Sequence, residues 1–270
     1  MKKLLFSFTL LTILMLVACN NETVEDPATD EQVTLKVASL IPPMTEILDV
    51  TKPILAEQGV ELEIVVLGDN VQPNAALHAD EVDANFFQHK FFMEEYNKNN
   101  DADLVAIQQV YYPNFGIYSK NYDSWAALPD GASVAIANDL SNIDRTLQLL
   151  ATNNLITLGE KTDTYYTLKD VTDNPKNIVF KEVDLLMLAR MYHEADAVVM
   201  YPSYAAPLGL TPSKDAILVE GEGNDFALQL VTREGNINND AIMKLKEAIT
   251  SEEVSKFLNE NYPDAATPAF

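Results

Sequence analysis

The chain has 270 residues, of which 47% are hydrophobic and 22% charged, ordinary globular usage that excludes wholesale disorder and collagen-like or mucin-like composition. That length suits one large domain or two of medium size. Forty-one acidic residues against eighteen basic ones give a formal net charge of −23, so phosphate backbones are repelled and nucleic acid is excluded as a partner.

Lys2 and Lys3 precede an apolar run from Leu4 to Val17 broken only by Ser7, Thr9 and Thr12. This is the charged n-region and short h-region of a secretory signal, too short for a settled membrane span. The segment ends in Leu16-Val17-Ala18-Cys19, which resembles the bacterial lipobox. It predicts a signal peptide over 1–18, lipid attachment at Cys19, and a protein held on the extracytoplasmic face of the cell membrane. The other reading is an anchor helix with an incidental cysteine. Cys19 is the only cysteine, so the exported part has no disulfide, thiolate nucleophile or cysteine metal site. Residues 19–32 carry Glu22, Glu25, Asp26, Asp30 and Glu31 and almost no large apolar residue, which predicts a flexible acidic tether.

From Val33 onward, strand-like and helix-like segments alternate. Val33 to Leu40 is β-rich; after Pro42-Pro43, the residues Met44, Ile47, Leu48, Thr51 and Leu55 recur at helical spacing, with Pro53 expected to interrupt or kink the helix. Further strands are predicted over 61–67, 104–110, 115–119, 132–137, 178–183, 195–200 and 226–232, and helices over 85–98, 142–153 and 184–193. The chain ends as helix: Ile242, Leu245, Ala248 and Ile249 share a face, and Thr250 with Glu253 has capping-box spacing. Such alternation predicts an α/β architecture with parallel sheets covered on both faces. The extended runs at 115–119 and 226–233 flank the central third, as crossovers between two lobes would.

The catalytic inventory is thin. His78, His89 and His193 form no zinc-binding pair, and there is no Gly-x-Ser-x-Gly elbow and no Gly-rich phosphate cradle. Asp80, Glu81 and Asp83 near His78 read better as a solvated acidic turn than as a metal site. In Asn85-Phe86-Phe87-Gln88-His89-Lys90-Phe91-Phe92, helical spacing puts Phe87 and Phe91 on one face and Phe86, His89 and Phe92 on another. The block fits a core with one satisfied histidine, or a ligand wall. Arg145, one of only three arginines, falls on the first turn of a predicted helix. There it suits a carboxylate or phosphate, or else an ion pair with Asp139 or Asp144.

Several strings together resemble the methionine-binding lipoprotein family (NlpA/MetQ type). They are Val71-Gln-Pro-Asn74, Val82-Asp-Ala-Asn-Phe-Phe-Gln-His89, Leu128-Pro-Asp-Gly131, Asn138-Asp139 with Arg145, Asp173-Asn-Pro-Lys-Asn177, Tyr204-Ala205, Gly209-Leu-x-Pro212 and Pro268-Ala-Phe270. The resemblance runs through essentially the whole mature domain. It implies the type II periplasmic-binding-protein fold: two α/β lobes joined by two crossover segments, with a ligand cleft between them. Lobe 1 is expected over 33–118 and 226–270, and lobe 2 over 119–225.

The same resemblance implies a pocket in which Phe86, Phe87 and His89 form the wall and Arg145 takes the ligand carboxylate. Four positions depart from the family's pattern. Asn70 stands where the family usually has tyrosine, and Met44 and Leu228 stand at a histidine and an asparagine. Tyr201-Pro-Ser203-Tyr-Ala205 replaces Asn-x-Asn-Tyr-Ala. Losing buried amides removes donors and acceptors from a polar head unless the ligand changes too. The expected function is a lipid-anchored binding protein that delivers methionine, a related amino acid or a short peptide to an ABC permease and its ATPase, with no cofactor, no metal and no turnover. An exported hydrolase or transferase would need an activated nucleophile or metal, and an adhesin or protein-binding module a large exposed apolar patch.

Overall fold

A computed structural model describes residues 33–221 and 223–270. The expected signal peptide, Cys19 anchor and tether lie outside the described residues. The first half of the chain runs β1 (Val33–Ser39), α1 (Met44–Ala56), β2 (Val60–Val66), α2 (Gln72–His78), β3 (Ala84–His89), α3 (Lys90–Asn100), β4 (Leu104–Pro113) and β5 (Gly116–Tyr118). Next come β6 (Ser133–Ala137), α4 (Leu140–Thr152), β7 (Thr157–Leu158), β8 (Val171–Asp173), β9 (Val179–Val183), α5 (Leu188–Met191) and β10 (Ala197–Met200). The remainder is α6 (Pro202–Ala205), α7 (Pro212–Asp215), β11 (Ala216–Val219), β12 (Leu228–Arg233), α8 (Asp240–Ala248), α9 (Glu252–Asn261) and β13 (Ala266–Pro268).

Two sheets carry the fold. One has the order β13-β4-β12-β3-β1-β2, the other β11-β5-β10-β6-β9. Both are mixed rather than purely parallel. β1 pairs in parallel with β2 and β3, and β6 with β9 and β10, as helical crossovers require. The antiparallel members adjoin the passages between sheets: β5 runs against β10 and β11, and β12 against β3 and β4. A strand returning from the other sheet enters from the opposite end and so runs against its neighbours.

The chain passes between sheets at Asn114–Phe115 and again between Val219 and Leu228. Gly116–Tyr118, counted with the first lobe on sequence grounds, therefore pairs in the second sheet. Gly116 is demanded there, because a Cβ would lie 2.9 Å from the Leu218 carbonyl oxygen of β11.

The largest departure from expectation is at 85–98. Residues 84–89 form a central strand with all six side chains buried, and the helix starts only at Lys90. Between β1 and β12 both faces of β3 are covered, so its polar residues Asn85, Gln88 and His89 do not alternate with its apolar ones, and helical spacing is read by accident. Smaller departures follow local chemistry. α1 runs through Pro53, the stretch after Asp184 is a 3-10 turn and a four-residue helix, and Ser251 rather than Thr250 caps α9. No helix among the described residues is long and apolar enough to cross a membrane.

Candidate functional site

A narrow cavity of about 40 Å³ lies where the two sheets face each other. From the first sheet's side come Phe87, Gln88 and His89 of β3, Tyr111 of β4, Leu228 of β12, Met44 at the start of α1, and Leu40 and Asn70 from the loops after β1 and β2. The second sheet's side supplies Asn142 of α4, Leu185, and Tyr201, Ser203 and Tyr204 just beyond β10. Its largely apolar wall with a few convergent polar groups suits a small molecule.

Phe87 reaches the cavity because the ladder slips there: Gln229 faces Gln88 while Leu230 faces Phe86, leaving Phe87 unpaired. A bulge of this kind re-aims one side chain and bends the strand. Phe86 points elsewhere; it is fully buried, packs edge-on against Tyr111 at 6.1 Å, and does not line the cavity.

Beneath the cavity the amides of Asn74, Asn85 and Gln88 bond to one another. Asn74 Nδ2 donates to Gln88 Oε1 at 2.8 Å, Asn85 Nδ2 to Asn74 Oδ1 at 2.9 Å, and Gln88 Nε2 to Asn85 Oδ1 at 3.0 Å. This joins the Val-Gln-Pro-Asn segment on α2 to β3, so both strings brace the pocket floor. The acidic turn is likewise structural: Asp83 accepts from the Lys36 backbone N–H at 2.7 Å, and Asp80 pairs with Arg233.

His89 Nδ1 accepts the Phe92 backbone N–H at 3.2 Å, which leaves its proton on Nε2, 3.4 Å from Asn142 Oδ1. Complete burial, reinforced by the nearby Arg145 charge, pushes its pKa down to about 3, so the imidazole is neutral. Asn142 is fixed in turn by Asp139, the cap of α4, which accepts from its backbone N–H at 2.9 Å and from Nδ2 at 2.9 and 3.0 Å. Tyr201 donates to Asn142 Oδ1 at 2.7 Å. The His89–Asn142 contact, a Tyr165 hydroxyl donating to the Phe91 carbonyl at 2.9 Å, and a Ser213–Asp264 bond of 2.9 Å span the two sides and hold the cleft shut.

Arg145 lies on the second turn of α4, completely buried, and does not line the cavity. Its partner is neither Asp139 nor Asp144 but Glu220. Nε donates to both Glu220 carboxylate oxygens at 3.1 and 3.2 Å, and Nη2 pairs with the same group. Nη2 also reaches the Pro113 carbonyl at 3.4 Å, and Nη1 donates to the Tyr201 hydroxyl at 3.2 Å. The rings of Phe115 and Phe226 cover the guanidinium at 4.4 and 4.7 Å. Burial opposes the charge, but Tyr201 and Glu220 more than offset it and raise the Arg145 pKa. Burial raises the Tyr201 pKa to about 12, with Arg145 pulling the other way. The cation thus sits where the two passages between sheets converge, and Tyr201 stands between it and the cavity.

Of the residues singled out in the sequence, Phe87, His89, Asn70, Tyr201, Ser203 and Leu228 meet at the cavity; Phe86 and Arg145 lie behind its wall. Sequence reasoning missed Tyr111, Asn142 and Leu185 on the wall, and Glu220. Tyr111 falls one residue past the strand predicted over 104–110 and Glu220 is one carboxylate among forty-one, so neither carried a local signal. Asn70, Tyr111, Ser203 and Tyr204 make no side-chain hydrogen bond among the described residues, so their polar groups face the cavity uncommitted.

Two α/β sheets joined by two crossovers around a cleft define a substrate-binding protein of the type II periplasmic-binding kind. The chain belongs to the NlpA lipoprotein family, whose family model matches residues 35–270. It is 38% identical to the methionine-binding lipoprotein MetQ of Bacillus subtilis, over 99% of each chain. A nutrient-binding protein from Burkholderia cenocepacia bound to methionine is 32% identical, with a TM-score of 0.84, covering 87% of this chain and 100% of that one. A YaeC-family lipoprotein from Enterococcus faecalis is 43% identical with a TM-score of 0.77, covering 88% and 99%.

Proposed function

We propose that this protein is the ligand-capturing component of an ABC importer, anchored through a lipid on Cys19, and that it takes methionine or a related amino acid or short peptide to a membrane permease and its ATPase. The observation that carries this reading is the neutral cavity between two lobes with an apolar wall of Phe87, Leu40, Met44 and Leu228. Methionine bound in a relative of the same fold supports the ligand class. Binding desolvates the apolar side chain, while Asn70, Ser203 and Tyr204 meet the polar end. Release follows when the His89–Asn142 and Tyr165–Phe91 contacts part and the lobes, 33–113 with 228–270 and 116–219, swing about the two crossovers. Arg145 acts behind the wall, orienting Tyr201. The protein transforms nothing; it binds and releases.

The test is thermal unfolding of the purified chain, refolded to strip any carried ligand, with each amino acid and with methionine-containing dipeptides. Ligand at a hundred times its dissociation constant adds about 2.7 kcal/mol of stability. The expected result is an upward shift with a methionine-like ligand; no shift across the panel overturns the reading.

A further inference from the structure

One contact across the cleft brings two groups of like charge together. Glu95, half-buried on α3 in the first lobe, reaches the start of α4 in the second, where its Oε2 accepts the Ser141 backbone N–H at 3.3 Å. Asp139, the cap of α4, accepts the hydroxyl of the same serine at 2.8 Å and the Asn142 backbone N–H at 2.9 Å. Two carboxylates from opposite lobes therefore share the first turn of one helix, on either side of a fully buried serine. Both line a small hollow between α3 and α4 with Asn70, Tyr96 and Asn99, and none of the residues lining it is basic.

A helix N-terminus favours one negative charge, and Asp139 already supplies it. A second carboxylate gains N–H contacts there but leaves water and meets the charge of Asp139. Burial first and Asp139 second raise the Glu95 pKa above its ordinary value of 4.5, against the N–H groups of Ser141 and Leu140 and the charge of Lys98. Lys98 is exposed, one turn further along α3. The other charges nearby are paired, Glu94 with Lys90 and Asp144 with Lys161. Tyr165, which faces the pair from the second lobe, donates its hydroxyl to the Phe91 carbonyl and carries no charge.

We infer that Glu95 and Asp139 form a brake on lobe closure, which protonation of Glu95 releases, so that the protein holds its ligand more tightly in acidic surroundings. This rests on the proposed capture between two closing lobes and adds a regulation to it. Opening carries Glu95 away from Asp139 and back into water, so the closed form takes up a proton more readily than the open one. Closure is opposed above the raised pKa, and the opposition fades as pH falls and is gone below 4.5. A ligand that favours the closed form gains affinity over the same range. Glu95 does not line the ligand cavity, so it acts through the lobes and is a positioning residue.

Small-angle X-ray scattering of the full chain without ligand, at pH 8 and pH 5, reads the lobes directly. Glu95→Gln removes the charge and keeps an acceptor for the Ser141 N–H. The parent should be more compact at pH 5 than at pH 8, and the variant compact at both. Other titrating groups, His89 among them, act alike in both proteins, so the difference between the two is the reading. Identical scattering of parent and variant at both pH values overturns the brake, as does a variant more open than the parent at pH 8. In calorimetry with L-methionine, the variant should bind about threefold or more tighter than the parent at pH 8, the two converging toward pH 5. Equal affinities at pH 8 overturn the brake while the proposed function stands. Failure of L-methionine and of every other compound in the thermal panel to bind overturns the proposed function, and the ligand-free scattering still decides the brake.

Discussion

Two groups of polar side chains meet at the cleft and differ in whether their hydrogen-bonding capacity is already used. In the first, Arg145 with Glu220 and Tyr201, and Asn74 with Asn85 and Gln88, donors and acceptors are satisfied inside the protein. In the second, Asn70, Tyr111, Ser203 and Tyr204 border the cavity with free polar groups. The first group contains the residues most conspicuous in the sequence, and it builds the frame. The second is ordinary in composition, and it faces the ligand. A polar group has a limited number of donors and acceptors, so a side chain whose capacity is taken up by structure has little left for recognition.

The largest effect that would break this division comes from Glu220→Ala. It leaves the Arg145 guanidinium buried without its carboxylate, and breaking such a pair costs about 3–5 kcal/mol. Urea unfolding should show that loss, and pairing Glu220→Leu with Arg145→Met should recover much of it. A loss below about 1 kcal/mol for the single change would show that the pair is not a frame element.

Next in size is the response to pH. His89 is held neutral with a folded pKa near 3, below its ordinary value of 6.5. Below pH 6.5 the unfolded chain takes up a proton that the folded chain refuses. Stability therefore falls as pH drops from 6.5 toward 3, and the histidine contributes a slope of up to about 1.4 kcal/mol per pH unit. Carboxylates add their own slope, so the reading is the difference between the parent and His89→Gln across that window. Parallel curves would mean that His89 titrates normally in the folded protein.

The smallest expected effect sharpens the other half of the comparison. Tyr204→Phe removes a hydroxyl with no side-chain hydrogen bond among the described residues, so stability should change by less than about 0.5 kcal/mol. Ligand affinity should fall by the 0.5–1.5 kcal/mol or so of one neutral hydrogen bond. A stability loss with unchanged affinity would move Tyr204 into the frame.

The position of the pocket was legible before its workings. Phe87, His89 and the Tyr201–Ser203 segment could be placed near a ligand from their strings alone, and they do line the cavity. Their secondary structure was not legible at β3, because a strand buried on both faces shows no polar period and Phe-Phe-Gln-His-Lys-Phe-Phe satisfies helical spacing equally well. Arg145 misled in the other direction. A scarce cation near a helix start suggests an anion site, and only the fold reveals that Glu220, seventy-five residues later, already occupies it. Tyr111 gave no signal, since it meets Ser203 at the cavity only where β4 and the segment after β10 come together.

By itself the sequence determined the α/β class, the number of lobes, most strands and the neighbourhood of the pocket, because alternation, turn residues and family strings are properties of contiguous segments. Only the tertiary structure decided which strands return antiparallel, that Phe87 rather than Phe86 enters the cavity, and that the arginine is neutralised. Each of those depends on residues far apart in the chain, and a contact between distant residues leaves no trace in the spacing of either one.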